Sequence, residues 1–172
     1  MQVMTTLPQE NLNDVPQAAR NAEMVGFDMV ATMENRYEPF MPLAAAAIST
    51  KTINIGTAVA IAFPRSPMVV ASTCWDLNNA SGGRFVLGLG PQIKPHNEKR
   101  FSVPWSPPAP RIREYVMALR AIWKNWEHGE KLDFRGEHYT FTLMTPNFVP
   151  VSTHQAPIPV TIAAVGPHTL KL

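Results

Sequence analysis

Short apolar runs recur along the first half of the chain, separated by stretches with helical spacing. "QVMTTL" at the start reads as a short strand. Asn13 or Asp14 then caps a helix with Pro16 in its first turn, where a missing N–H is harmless. Val15, Ala18, Ala19, Ala22 and Val25 share one face of that helix, and Gly26 ends it. "FDMVATM" follows as a second strand, the alanine-rich "LAAAAIST" as a second helix, and "INIGTAVAIA" as a third strand. Ser66 and Pro67 open a helix that runs through Val70, Cys74, Leu77 and Ser81 to Gly82 and Gly83, and "RFVLGLG" begins a fourth strand at once.

The strands start near residues 2, 27, 53 and 84, an interval that holds a strand, a crossover helix and two short loops. That repeat predicts a parallel sheet built from βαβ units. Residues 91–110, "PQIKPHNEKRFSVPWSPPAP", have no periodicity and form a loop too long for a plain connection. The next helix is the clearest in the chain: Ile112, Tyr115, Val116, Leu119, Ile122, Trp123 and Trp126 follow helical spacing, with Arg111, Arg113, Glu114, Arg120 and Lys124 on the other face. Residues 131–143 read as a small hairpin insertion turning at Arg135 and Gly136, and "IPVTIAAVGP" supplies a fifth strand. Five parallel strands with crossover helices fit an open doubly wound sheet or part of a (β/α)8 TIM-type barrel. "PQENLND" after strand one has no glycine-rich turn, and "GLGPQI" lacks the third glycine of the dinucleotide fingerprint. The expected fold is therefore α/β, a partial barrel in one incomplete domain over residues 1–172.

Strand three poses the functional question. Its middle, Gly56 to Ala60, is bland where a core strand would carry larger side chains, so something else fills the space beside it. Composition narrows what that is. The net charge of +2 comes without a run of Lys or Arg, which gives no case for nucleic acid or membrane partners. The single cysteine, Cys74, allows no internal disulfide and no zinc site of its own, and no metal site is expected. Neither a signal-peptide pattern nor a span of about 20 apolar residues is present, so a cytoplasmic setting is the default expectation.

The segments "INIGTAVAIAFPRSP", "LNNASGGRFVLGLG" and "PVTIAAVGP", in this order and at these distances, resemble the bacterial luciferase-like superfamily. The resemblance is to its oxidoreductases that use the deazaflavin coenzyme F-420, and "GPQIKPHNEKRFSVPWSPPAPRIREYVMALRAIW" is similar to one branch of that group. It implies a TIM-type barrel with the ring of the deazaflavin, or alternatively of FMN, across the carboxyl-end mouth. It also implies a non-proline cis peptide in strand three that backs the ring, which falls here at Ala58 and Val59. Small residues there would let the backbone approach a flat ring; the alternative is that they pack a crowded barrel interior.

The same resemblance implies coenzyme contacts at Gly88 and Gly90, which otherwise only close a strand, and near Gly166, Pro167 and Thr169, where the backbone amides of Gly166, His168 and Thr169 at a helix start would receive a phosphate. Pro167 is otherwise a helix-start residue. Relatives place an acid and a histidine after strand two. Here "TMENRYEPF" offers Glu34 and Asn35 and no histidine, so Glu34 is the candidate acid. His96, in the long loop, is the second candidate for proton handling because imidazole titrates near neutral pH. Trp105 in the same loop either covers a ring or anchors the loop.

The expected activity is hydride transfer between coenzyme F-420 or FMN and a small organic substrate. A shortened, non-catalytic member with a structural or ligand-binding role is the competing reading, because a closed barrel needs eight strands and about 250 residues. Five strands leave two open edges, which predicts self-association into a homo-oligomer.

Overall fold

The computed structural model describes residues 1–152, 155–164 and 166. They form two compact units, one of Met1–Ala60, Thr73–Gly90 and Gln155–Ala163, the other of Ile61–Ser72, Pro91–His154 and Ala164–Leu172.

The first unit holds the parallel sheet. Its strands are β1 (Met4–Thr6), β2 (Met29–Thr32), β3 (Asn54–Thr57), β5 (Phe85–Gly90) and β8 (Val160–Ile162); strand three resumes after a two-residue interruption as β4 (Ala60–Ile61), whose Ile61 belongs to the second unit. They pair in chain order, β1 to β2, β2 to β3, β3 to β5 and β5 to β8, each pair parallel. A doubly wound sheet reverses its strand order at the centre, whereas this order is that of a barrel wall. Among the described residues the wall is not closed: β1 and β8 are each paired on one side only.

Helix α1 (Val15–Val25) buries Val15, Ala19 and Ala22 and ends at Gly26, whose φ of 94° lets the chain turn left-handed into β2. Its start differs from the expectation. A 3-10 turn over Leu12–Asp14 precedes it, and Asn11 is the capping side chain, accepting from the Asn13 N–H at 3.1 Å, while Asp14 caps nothing. Helix α2 (Phe40–Ser49) buries Leu43, Ala46 and Ala47. It starts where the Glu38 carboxylate accepts from the N–H groups of Phe40 and Met41, at 2.7 and 2.9 Å. Helix α3 (Pro67–Ala80) begins at the predicted proline and stops before Gly82 and Gly83, both at positive φ.

At the amino ends of the strands two charged residues tie elements together. Glu23 of α1 accepts from the N–H groups of Lys51, Thr52 and Ile53 and from the Thr52 hydroxyl, at 2.6 to 3.0 Å. Loss of solvation opposes its charge, but the donors from Ile53, Thr52 and Lys51 outweigh that and hold its pKa at about 2. Arg84 donates to the carbonyls of Ala47, Thr50, Ile53 and Ser81, locking the end of α2 to the start of β5. Its pKa is lowered by burial, with Glu23 acting the other way.

The second unit is organised by α4 (Pro108–His128), whose Ile112, Tyr115, Leu119, Ile122, Trp123 and Trp126 are buried at the spacing the sequence shows. The Trp123 indole donates to the Ala71 carbonyl at 3.2 Å. A two-stranded hairpin, β6 (Phe134–Arg135) and β7 (Thr140–Phe141), falls where the insertion was expected. No helix among the described residues is long and apolar enough to cross a membrane.

Candidate functional site

From Ile55 to Phe63 the chain is buried at every residue except Ala58 and Val59, which are half-exposed. These two form the interruption between β3 and β4, and the peptide bond joining them is cis, at the position the family resemblance implies. The parallel register sets Thr32 beside Thr57, so the exit of β2 runs along this step. Its backbone is held there by two bonds: Ala58 N–H donates to the Thr32 carbonyl at 2.7 Å, and Glu34 N–H donates to the Val59 carbonyl at 3.3 Å. The step therefore lies at the carboxyl ends of the strands, the end where parallel α/β sheets place their ligands.

Strand β5 supports it from the other side. Thr57 is buried, and its hydroxyl donates to the Gly88 carbonyl at 2.7 Å while accepting from the Gly88 N–H at 2.9 Å. A side chain at Gly88 would lie 2.0 Å from the Thr57 carbonyl oxygen, so glycine is needed there to seat the two strands. Gly90 is different. A Cβ on it would meet the Val59 side chain at 2.8 Å, so this glycine makes room for the step itself. Gly56 resembles Gly88: its missing Cβ is replaced by the Val86 carbonyl oxygen, 2.3 Å away. The blandness of strand three thus has two sources, neighbouring backbone at Gly56 and partial exposure at Ala58 and Val59.

Two polar side chains complete the strand ends. Glu34 is half-buried just beyond β2. Gln9, beyond β1, accepts from the Met33 N–H through Oε1 at 3.2 Å, while its Nε2 is buried with no hydrogen-bond partner among the described residues. Neither Gln9 nor Thr57 stood out in the sequence, since each acts on a strand it meets only through the parallel register.

Of the predicted site residues, the structure brings Glu34, Ala58, Val59, Gly88 and Gly90 together in the first unit. His96 and Gly166 belong to the second. Pro167 and Thr169 lie outside the described residues. His96 opens a π-helical turn, His96–Arg100, inside the long loop. The next residue, Asn97, is fully buried and laces that loop: its side-chain amide donates to the carbonyls of Pro91 and Ile93 at 2.9 and 3.1 Å, and its own carbonyl accepts from Val103 N–H at 2.9 Å.

On α4's polar face, Arg111 and Glu114 both have partners. Arg111 lies 4.3 Å over the Phe63 ring and donates to the Tyr139 hydroxyl at 3.1 Å and the Pro104 carbonyl at 3.0 Å. Glu114 accepts from the N–H groups of Glu137, His138 and Tyr139 at 2.7 to 3.1 Å. Burial raises the pKa of Tyr139, with Arg111 acting the other way. Cys74 is wholly buried, its thiol pushed well up, and is inert packing.

The half-exposed pair Ala58 and Val59 thus sits at the carboxyl ends of a barrel-wall sheet, among small residues. Comparison with known proteins gives the family. The luciferase-like monooxygenase family model matches residues 1–172, and the chain belongs to that family. It is 53% identical over 150 residues to an uncharacterized protein of Mycobacterium tuberculosis, covering 87% of this chain and 44% of that protein. It is 31% identical over 168 residues to a 5,10-methylenetetrahydromethanopterin reductase of Archaeoglobus fulgidus, covering 96% of this chain and 48% of the reductase. The chain thus spans about half the length of these curated relatives. The coenzyme F-420 dependent tetrahydromethanopterin reductase of Methanopyrus kandleri superposes with a TM-score of 0.76 at 23% identity, over 99% of this chain and 52% of the reductase chain, a likeness of fold.

Proposed function

We propose that this chain carries the coenzyme floor of an oxidoreductase that uses coenzyme F-420, with FMN as the alternative, and acts on a small organic substrate. The observation that carries the reading is the half-exposed Ala58 and Val59 within an otherwise buried run, with Gly90 clearing space for Val59. Small side chains at an exposed strand end fit a flat ring, which needs close approach to backbone and no protruding side chain. A strand filled only for packing would have been buried throughout. The 30% identity over 177 residues to a putative coenzyme F420-dependent oxidoreductase of Mycobacterium tuberculosis, covering 96% of this chain and 48% of that protein, supports the choice of deazaflavin.

When bound, such a coenzyme supplies the hydride-transfer chemistry, and the protein supplies placement and electrostatics. Thr32 and Glu34 hold the floor through their backbone bonds to Ala58 and Val59. Thr57 holds β5 in register with it. The Glu34 carboxyl, half-buried at the same strand ends, is the candidate for holding or passing a proton, and His96 is the second. Gly88 and Gly166, Pro167 and Thr169 remain proposed contacts to the coenzyme and its phosphate-bearing tail.

Titrating the purified chain with coenzyme F-420 and with FMN while following ring fluorescence tests the reading. Saturable binding of one of them is expected, and no change with either would overturn it. We also propose a cytoplasmic setting and self-association. The one-sided pairing of β1 and β8 supports the latter. Mass measurement in solution is expected to show a species above 19.1 kDa, and a stable monomer would contradict it.

A further inference from the structure

The loop after β1 contributes a group that neither strand pairing nor the proposed floor uses. Gln9 Oε1 accepts from the Met33 N–H at 3.2 Å. That bond fixes the amide orientation, since the backbone N–H can only donate and a flipped amide would set donor against donor. Nε2 is therefore the atom left over, and it is buried without a partner among the described residues. A buried donor in that state costs free energy unless something outside the protein accepts from it.

Its position narrows what that is. Met33, which holds Gln9, directly precedes Glu34, whose N–H holds the Val59 carbonyl. Gln9 and the exposed step are thus tied to successive residues at the exit of β2, inside one compact unit. No carboxylate, carbonyl or hydroxyl of the described residues takes the donor. We propose that Gln9 is a ligand-binding residue that donates a hydrogen bond from Nε2 to a ring carbonyl oxygen of the coenzyme at this step. Deazaflavin and flavin rings both carry such carbonyls, and a neutral amide donor suits them because it adds no charge. The inference rests on the proposed coenzyme floor and adds to it a group that orients the ring in its plane.

Two substitutions separate this role from a structural one. Gln9→Glu keeps the acceptor for Met33 N–H and removes the donor; Gln9→Leu removes both. Each is compared with the unaltered chain by titration with coenzyme F-420 and with FMN, alongside the 15N side-chain amide spectrum. Gln9→Glu is expected to weaken binding about threefold to tenfold, the range for one lost hydrogen bond, with the melting temperature unchanged. The Gln9 side-chain amide signal of the unaltered chain is expected to move on coenzyme addition. If the unaltered chain binds but both variants bind equally well and the Gln9 signal stays in place, this inference falls and the floor stands. If the unaltered chain binds neither coenzyme, both fall.

Discussion

Gly88 and Gly90 stand two residues apart on β5, yet a methyl group at each has a different consequence. At Gly88 it would meet the Thr57 carbonyl oxygen at 2.0 Å, and backbone on both sides cannot yield without parting β3 from β5. Gly88→Ala is expected to lower unfolding free energy by ~1–3 kcal/mol, as overpacking of a filled core does, measured by urea denaturation. At Gly90 the obstacle is the Val59 side chain at 2.8 Å, so the step moves instead of the sheet. Gly90→Ala should leave the urea midpoint nearly unchanged and weaken coenzyme binding. Equal effects of the two substitutions on stability would contradict this division.

Glu23 gives a pH dependence with a definite sign. Its folded-state pKa is about 2 against an ordinary 4.5, so between these values the unfolded chain binds more protons than the folded one. The stabilisation from its charge is complete above about pH 4.5 and is lost as the pH falls toward 2. Glu23→Gln, which no longer titrates, should give a shallower decline of stability over that window in denaturation series. An unchanged slope would show that the donors of residues 51–53 do not depend on its charge.

Among the elements, the hairpin of β6 and β7 is too short to be stable alone. Glu114 ties its turn to α4 by accepting from three consecutive N–H groups, beside the Arg111 bond to the Tyr139 hydroxyl. Gly136 is part of the same arrangement, since a Cβ there would lie 2.0 Å from Glu114 Oε1. Glu114→Ala is expected to accelerate hydrogen exchange at Glu137, His138 and Tyr139 while the interior amides of α4 keep their protection. If those three amides exchange no faster, the hairpin is held by something other than Glu114.

The elements also show where sequence patterns suffice. Strand interval, Gly26, Pro67 and the apolar stripe of α4 each carry a local signal, and the structure follows them closely. Glu23, Arg84, Gln9 and Thr57 carry none, because their partners, apart from Ser81 for Arg84, lie 24 to 37 residues away and meet them only once the fold has formed. The partners of Arg111 and Glu114 were illegible for a related reason: helical periodicity separates apolar from polar faces but does not say what a polar face meets. Asn11 was missed in favour of Asn13 and Asp14 because a 3-10 turn before α1 moves the capping position back.

For the whole molecule, the family membership, the chain-ordered parallel sheet and the half-exposed step at its carboxyl ends all support the proposed ligand at the strand mouth. Gly56 to Ala60 were bland in sequence for two separate reasons, backbone contact at Gly56 and partial exposure at Ala58 and Val59. The central claim is that this exposed step receives the coenzyme ring. Filling it tests that most directly: Ala58→Trp and Val59→Trp are compared with the unaltered chain in equilibrium titrations with coenzyme F-420 and FMN. The account predicts saturable binding by the unaltered chain and at least a tenfold loss, about 1.4 kcal/mol, in both variants. Undiminished binding when the step is filled would contradict it.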